Sequence, residues 1–229
     1  MQKVIYLVLM MLWSTAAAAD EIDTYIPELA YRYAPVLKQQ QQQYWSDHPR
    51  PEVLAGLIEQ ESCITLHHAK CWNPNVQLKT KREQAIGLGQ LTRTRSYDSL
   101  AGMRRVHARE LSELSWATIA QRPDLQIRTM LMMEMTDWKA FYMVTDPESR
   151  MAFVDAAYNG GQSGVRKDRL RCGLTAGCNP QYWFGHVERT CSKSKKAIYG
   201  KRGPCDINRD HVLKVLKIRS PKYHGMMSS

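Results

Sequence analysis

The sequence predicts a mainly α-helical fold with little or no sheet and with loops that disulfides staple. Apolar residues recur every three or four positions in several segments, whereas no alternating run is long enough for the core of a sheet. Prolines and glycines lie between these segments, where helices are expected to begin and end. The 229 residues are enough for one well-packed domain, and neither a repeat nor a linker divides residues 47–219.

The first 19 residues are typical of an export signal. Lys3 precedes an apolar run over residues 4–13, and the alanines at 16–19 provide a cleavage site. The apolar run is shorter than an ordinary membrane span. We therefore interpret residues 1–19 as a signal peptide or transient signal anchor. The chain is expected to be exported to the periplasm or cell envelope, with no stable membrane span after processing.

The chain is strongly basic, with 32 lysines and arginines against 22 acidic residues and a formal net charge of +10. A surface of this charge favours binding to a polyanion. Export argues against nucleic acid, so the expected polyanion is the anionic cell envelope.

Six cysteines are an even number, which favours disulfides in an exported chain. Fifteen pairings are possible in principle. Proximity along the sequence indicates Cys63–Cys71, Cys172–Cys178 and Cys191–Cys205.

A zinc site is the alternative interpretation of the first cysteine pair. Cys63, His67, His68 and Cys71 supply four potential ligands within nine residues. Their spacing is not that of a familiar zinc finger, and oxidation would remove the thiolates that zinc requires. No metal and no cofactor are therefore expected.

The first elements follow in order along the chain. Residues 20–50 are predicted to form an N-terminal helical segment that two prolines interrupt. Residues 51–229 form the predicted main domain, with a disulfide-rich C-terminal part, and its first helix spans residues 51–62. Residues 63–82 are polar and without a clear period, so we expect a long loop, and such loops are usually functional.

Residues 85–92 are expected to form a tight glycine turn that runs into a short helix. Pro123 opens the strongest helical pattern of the chain. Asp146 and Pro147 are expected to cap and start a further helix that reaches Tyr158. The remaining predicted helices span residues 99–109, 110–120, 162–172, 180–191 and 208–219.

Glu61 lies near the end of the helix predicted over residues 51–62. On a helical wheel of about 100° per residue it falls in the middle of the apolar stripe, whereas Glu52 and Glu59 fall on the opposite face. A glutamate at a helix end more often bends out into water. If it were pressed against apolar neighbours, desolvation would disfavour its charged form and it would suit a general acid near neutral pH.

Two further segments accompany the pair Glu61-Ser62. They are the turn Gly87-Leu88-Gly89-Gln90 and the segment Ala157-Tyr158-Asn159-Gly160-Gly161. In this order and at this spacing, the three segments resemble the motifs of the soluble lytic transglycosylase (SLT) family, which shares a lysozyme-like helical fold with goose-type lysozyme. The resemblance covers roughly residues 51–161. The long loop between Cys63 and the turn is more similar to phage-encoded cell-wall lysins of this family.

The resemblance implies a role for each matched residue. The single catalytic acid and base of the family matches Glu61. The residues that shape the cleft and bind the sugars match Ser62, Leu88, Gln90, Tyr158 and Asn159. Position 89 departs from the family, where methionine is usual, so an apolar contact to the sugar is expected to be missing at Gly89.

Each of these matches also has a purely structural interpretation. Gln90 could make a capping hydrogen bond, Tyr158 could pack in the core, and Asn159 could end a helix in the left-handed conformation. Together with Glu61, the three residues favour a cleft for sugars.

The implied reaction cleaves the β-1,4 bond between MurNAc and GlcNAc in peptidoglycan glycan strands and forms 1,6-anhydro-MurNAc. A hydrolytic lysozyme on the same fold is an alternative, and it would require a second carboxylate. Glu83 is the first candidate for that carboxylate, ahead of Asp98 and Asp155. A non-catalytic glycan-binding or assembly protein is an alternative of another class.

Overall fold

The structure is a computed structural model that describes residues 24–194, 196–198 and 200–228. The predicted signal segment, residues 1–19, lies outside the described residues. Helices dominate the described part of the chain, which confirms the prediction of a mainly α-helical fold. The helices are α1 (Glu28–Tyr44), α2 (Glu52–Ser62), α3 (Ser99–Val106), α4 (Pro123–Ala140), α5 (Pro147–Gly160), α6 (Gln162–Gly173), α7 (Pro204–Leu213) and α8 (His224–Met227).

A small antiparallel sheet lies between α2 and α3. Its three strands are β1 (Gln77–Lys79), β2 (Glu83–Ile86) and β3 (Leu91–Thr94), in the order β1-β2-β3. The end of the predicted long loop therefore belongs to a sheet.

The glycine turn joins β2 to β3. Gly87 has a φ of 82° and Gln90 a φ of 43°, and this left-handed backbone reverses the chain so that Ile86 pairs with Leu91. The prediction of a short helix after the turn is wrong, because the residues that follow the turn continue the hairpin.

Two of the predicted helices are mostly turns. Residues 110–120 contain only the start of a short 3₁₀ helix, Ile119–Gln121, and residues 180–191 contain only Val187–Arg189. Gly185 has a φ of 76°, which interrupts any helix through the second segment. At the C-terminus, α7 continues through a π-helical segment (Lys214–Arg219) and a 3₁₀ turn (Ser220–Tyr223) into α8.

Helix α2 is buried on every side rather than on one face. Glu52 is buried and pairs with Arg50, and Glu59 is buried and pairs with Arg219. The face of α2 opposite the apolar stripe is therefore buried as well, because the C-terminal segment covers it, with Arg219 and Tyr223 contacting Glu59. Gly56 permits this approach, since a Cβ atom there would lie 2.4 Å from Oγ of Ser220.

Helix α4 separates two hydrophobic cores. The larger core includes residues of α1, α2, α4, α5 and the C-terminal segment, and α4 contributes Met130 and Leu131 to it. The smaller core lies among the sheet, α3 and α4, to which α4 contributes Leu125 and Met132. Because α1 shares the larger core, the N-terminal segment packs on the main domain.

All three predicted disulfides are present: Cys63–Cys71, Cys172–Cys178 and Cys191–Cys205. The first of them consumes both thiolates of the alternative zinc site, which is thereby contradicted. Three disulfides are typical of exported proteins. Among the described residues, no helix is both long and apolar enough to cross a bilayer.

Candidate active site

Glu61 lies in the last turn of α2, two residues before the Cys63–Cys71 disulfide. Its Oε1 atom lies 2.8 Å from Nε2 of His211 on α7, and its side chain is 16% exposed. Glu61 is therefore not turned out into bulk solvent. The helical wheel suggests apolar neighbours alone, but an imidazole nitrogen lies within hydrogen-bond distance of one of the Glu61 oxygens.

His211 connects Glu61 to a second carboxyl. Its Nδ1 atom lies 2.9 Å from Oδ2 of Asp155 on α5, and both side chains are buried. Burial alone would lower the pKa of His211, but the charges and hydrogen bonds of Asp155 and Glu61 outweigh it and raise the pKa to about 10. At neutral pH the imidazole is thus a cation that donates one hydrogen bond to each carboxyl.

A cleft of about 610 Å³ lies between the sheet and the junction of α5 and α6. Its walls bring together four of the predicted site residues: Glu83, Gln90, Tyr158 and Asn159. Glu61 is not part of these walls, but α7 links it to them, since His211 of this helix contacts Glu61 and Asn208 contacts Asn159. Burial first, and then the negative charge of Glu61, raises the pKa of the Tyr158 hydroxyl well above its usual value.

Tyr158 joins α5 to the glycine turn. Its hydroxyl donates a hydrogen bond to the carbonyl of Gly89, and a Cβ atom at position 89 would lie 2.7 Å from that hydroxyl and 3.1 Å from Cβ of Met130. Glycine at this position is therefore required by the packing of Tyr158. This packing gives a physical reason for glycine at position 89, where the resemblance alone would lead us to expect methionine.

The side chain of Gln90 folds back on its own turn. Its Nε2 atom donates to the carbonyl of Gly87 over 2.9 Å, while the residue remains partly exposed in the cleft wall. Both interpretations of Gln90 thus apply to the same side chain, since it stabilises the turn and lines the cleft.

Two residues that the resemblance placed in the cleft lie inside the fold. Leu88 is fully buried in the larger core and is not part of the cleft wall. The reason is that the buried Gln126 accepts the Leu88 N–H over 2.9 Å and fixes the turn with this side chain inward. Ser62 is also buried: its hydroxyl donates to the carbonyl of Ile58 and accepts the N–H of Trp72.

Asn159 is exposed in the cleft wall. Helix α5 continues past it, and Gly161, with a φ of 83°, is the left-handed residue at the helix end. Oδ1 of Asn159 accepts a hydrogen bond of 3.1 Å from Asn208 on α7. Because Asn208 and His211 lie three residues apart on one face of α7, this helix contacts both Asn159 and Glu61.

The candidates for a second carboxylate lie in three different environments. Glu83 is partly buried and lines the cleft. Asp98 caps α3 by accepting the N–H of Ala101, and it also accepts the indole N–H of Trp116. Asp155 is buried behind His211. Only Glu83, of these three, is in a cleft wall.

Sequence reasoning missed Asp137, a further carboxyl in the cleft. It lies on α4, four residues after Met133 in the same wall, and it accepts a hydrogen bond of 2.9 Å from Gln162. Burial raises the pKa of Asp137 to about 6, against the opposing effects of Gln162 and Arg166.

Two more ionisable side chains lie in the interior near His211 and Asp155. Nε2 of His48 is 4.0 Å from Oε2 of Glu134, and neither atom has a hydrogen-bond partner among the described residues. Burial, and then the charges of Asp155 and Asp137, raises the pKa of Glu134 well above its usual value. Burial, and then Arg50, lowers the pKa of His48 to about 3. His48 is therefore neutral at pH 7, and burial favours the protonated form of Glu134.

No protein-family model matches this chain, and no curated protein matches it. The case for a function therefore depends on the chemistry of the cleft and on the three motif-like segments.

Proposed function

We propose that the protein is a peptidoglycan lytic transglycosylase in which Glu61 is the catalytic acid and base. The observation that carries the proposal is that α7 contacts both Glu61, through His211, and Asn159 in the wall of a cleft that Gln90 and Tyr158 also line. A carboxyl held in a fixed position near a cleft with hydrogen-bonding side chains matches the requirements of acid and base catalysis on a polysaccharide.

The reaction follows from one carboxyl and the substrate's own groups. Glu61 gives a proton to the leaving GlcNAc oxygen as the bond to C1 of MurNAc breaks, and the MurNAc acetamido group stabilises the cation that forms. The carboxylate of Glu61 then takes the proton of the MurNAc 6-hydroxyl while that oxygen bonds to C1. The ring closes as a 1,6-anhydro sugar, water is not consumed, and Glu61 is protonated again.

The basic surface fits the same substrate. A net charge of +10 attracts the protein to an anionic envelope, and this attraction weakens as salt rises. Glycan strands are then bound in the cleft by the side chains of Gln90, Tyr158 and Asn159, which offer hydrogen-bond donors and acceptors.

The test is the release of fragments from purified peptidoglycan sacculi. The wild type should release muropeptides with 1,6-anhydro-MurNAc ends, identified by mass spectrometry. Glu61→Gln should lower the rate by about 100-fold or more, because it removes the proton that general acid catalysis needs. Glu148→Gln, at an exposed glutamate of α5, is the control and should retain the wild-type rate. Wild-type lysis by Glu61→Gln would overturn the assignment.

Hydrolysis is the second candidate, because Glu83 and Asp137 place two more carboxyls in the cleft. A hydrolase would release reducing ends instead of anhydro ends, and Glu83→Gln or Asp137→Asn would then abolish lysis. A glycan-binding protein without catalysis would sediment with sacculi and release nothing.

A further inference from the structure

The two oxygens of Glu61 have different surroundings. Oε1 lies 2.8 Å from Nε2 of His211, while Oε2 has no hydrogen-bond partner in the described part of the chain. The carboxyl keeps part of its surface exposed to solvent. A carboxylic acid that donates its proton to a substrate must carry that proton on the oxygen that faces the substrate.

We propose that His211 and Asp155 are positioning residues for Glu61, which direct its proton to Oε2 and keep a positive charge beside the carboxylate that forms. This inference depends on the proposed function, since it concerns the acid of that reaction.

The argument begins with the hydrogen atoms of His211. A carboxylate only accepts hydrogen bonds, so Asp155 requires a proton on Nδ1 of His211. When the imidazole is a cation, Nε2 also carries a proton and donates to Oε1 of Glu61. A proton on Glu61 must then be on Oε2. When the imidazole is neutral, Nε2 accepts, and the Glu61 proton is drawn to Oε1, where it faces His211 instead of the substrate.

The charge of His211 therefore decides which oxygen of Glu61 is the acid. The ionisable groups that face the imidazole are Glu61 from α2, Asp155 from α5 and, farther away, Glu134 from α4. Burial raises the pKa of Glu134, whereas Oδ2 of Asp155 lies 2.9 Å from Nδ1 of the imidazole, so Asp155 is the counter-ion that maintains the cation. Without the charge of Asp155, the imidazole would lose its proton at a much lower pH.

Helix α7 is fixed well enough to hold this geometry. Asn208 donates to the carbonyl of Ala156 over 2.9 Å, and Arg209 forms an ion pair with the buried Asp168. These contacts secure the helix on α5 and α6, so the imidazole of His211 keeps one orientation between its two carboxyls.

The first test compares the pH dependence of lysis in Asp155→Asn and in the wild type, with Asp210→Asn as control. Asp210 lies beside His211 on α7 but pairs with Arg202 and Lys214 at the surface. We expect the lysis rate of the wild type to fall at alkaline pH, where His211 loses its proton. In Asp155→Asn this fall should occur at a pH lower by two or more units, and in Asp210→Asn it should occur at the wild-type pH. Sedimentation with sacculi should be unchanged. An alkaline limb shared by Asp155→Asn and wild type would overturn the inference.

The second test does not need the buried substitution or activity. In wild-type protein labelled with ¹⁵N-histidine, both ring nitrogens of His211 should be protonated at pH 8, and Glu61→Gln should lower the pH at which the ring titrates. A neutral His211 ring at pH 8 would overturn the inference.

His211→Gln should lower the lysis rate by about 100-fold without loss of sacculus binding. If the wild type releases nothing from sacculi, the proposed function fails. If the wild type lyses sacculi, but its rate and that of Asp155→Asn fall at the same alkaline pH, only the positioning role fails.

Discussion

Gly89 and Tyr158 are in such close contact that no side chain fits at position 89. A Cβ atom there would lie 2.7 Å from the tyrosine hydroxyl, which also donates its hydrogen bond to the Gly89 carbonyl. The glycine turn and the end of α5 therefore hold each other in place across the cleft.

Gly89→Ala should displace Tyr158 and lower both stability and activity. Overpacking of this kind costs about 1–3 kcal/mol of the free energy of unfolding, measurable by urea denaturation. Gly102→Ala in α3 is the control, because its added Cβ atom would meet no atom within 4 Å. That substitution should raise stability by roughly 0.5–1 kcal/mol. Equal effects of the two substitutions would contradict the packing argument.

Glu134→Gln should make the protein less sensitive to rising pH. Burial raises the pKa of Glu134 in the folded state, whereas in the unfolded chain the carboxyl ionises near pH 4.5. Above that pH the unfolded state releases a proton that the folded state keeps, so wild-type stability falls as pH rises. The fall is at most about 1.4 kcal/mol per pH unit from this one group.

The measurement is the free energy of unfolding in urea at pH 5, 6 and 7, for wild type and Glu134→Gln. The difference between the two proteins should grow with pH, because glutamine has no proton to release. Stability curves that run parallel between pH 5 and 7 would show that Glu134 ionises in the folded protein.

His48 should make the folded protein less stable as the pH falls, whereas Glu134 makes it less stable as the pH rises. Its pKa of about 3 in the folded state lies below the ordinary value of 6.5, so only the unfolded chain takes up a proton between these values. Stability therefore falls as pH decreases from 6.5 towards 3, by up to about 1.4 kcal/mol per pH unit. In His48→Gln the loss of stability at acidic pH should be smaller. The measurement is the thermal unfolding of both proteins between pH 4 and 7. An acid limb of unchanged slope would contradict the buried neutral state of His48.

Local signals in the sequence predicted where the main helices begin. Asp146 and Pro147 predict the start of a helix, and in the structure the Asp146 carboxylate accepts the N–H of Ser149 at the start of α5. Pro123 likewise opens α4. These signals act within a few residues, so the sequence alone contains them.

Contacts between segments that are distant in the sequence cannot be predicted from such local signals. A helical wheel describes one helix, and the burial of Glu59 depends on Arg219, 160 residues away. In the same way, the partner of Glu61 is His211, at a separation of 150 residues. The strands are only three or four residues long, too short for a recognisable alternating pattern. A wheel of α4 could have indicated Glu134, which lies four residues after the buried Met130.

The Cys63–Cys71 disulfide should support the site more directly than the Cys172–Cys178 disulfide does. It closes a short loop immediately after Glu61 and Ser62, and the N–H of Trp72, next to Cys71, donates to the Ser62 hydroxyl. Replacing Cys63 and Cys71 by serine should cost about 2–3 kcal/mol of stability through the unfolded state. It should also lower the rate of lysis of sacculi at a temperature where the variant remains folded.

The matched control replaces Cys172 and Cys178 by serine, which opens a loop of similar length at the end of α6. Its stability loss should be comparable, because loop length sets the entropic cost, but its lysis rate per folded molecule should stay at the wild-type level. The comparison separates general destabilisation from a local effect on Glu61. Equal losses of lysis in the two double variants, with circular dichroism showing both folded, would mean that the first disulfide has no special connection to the acid.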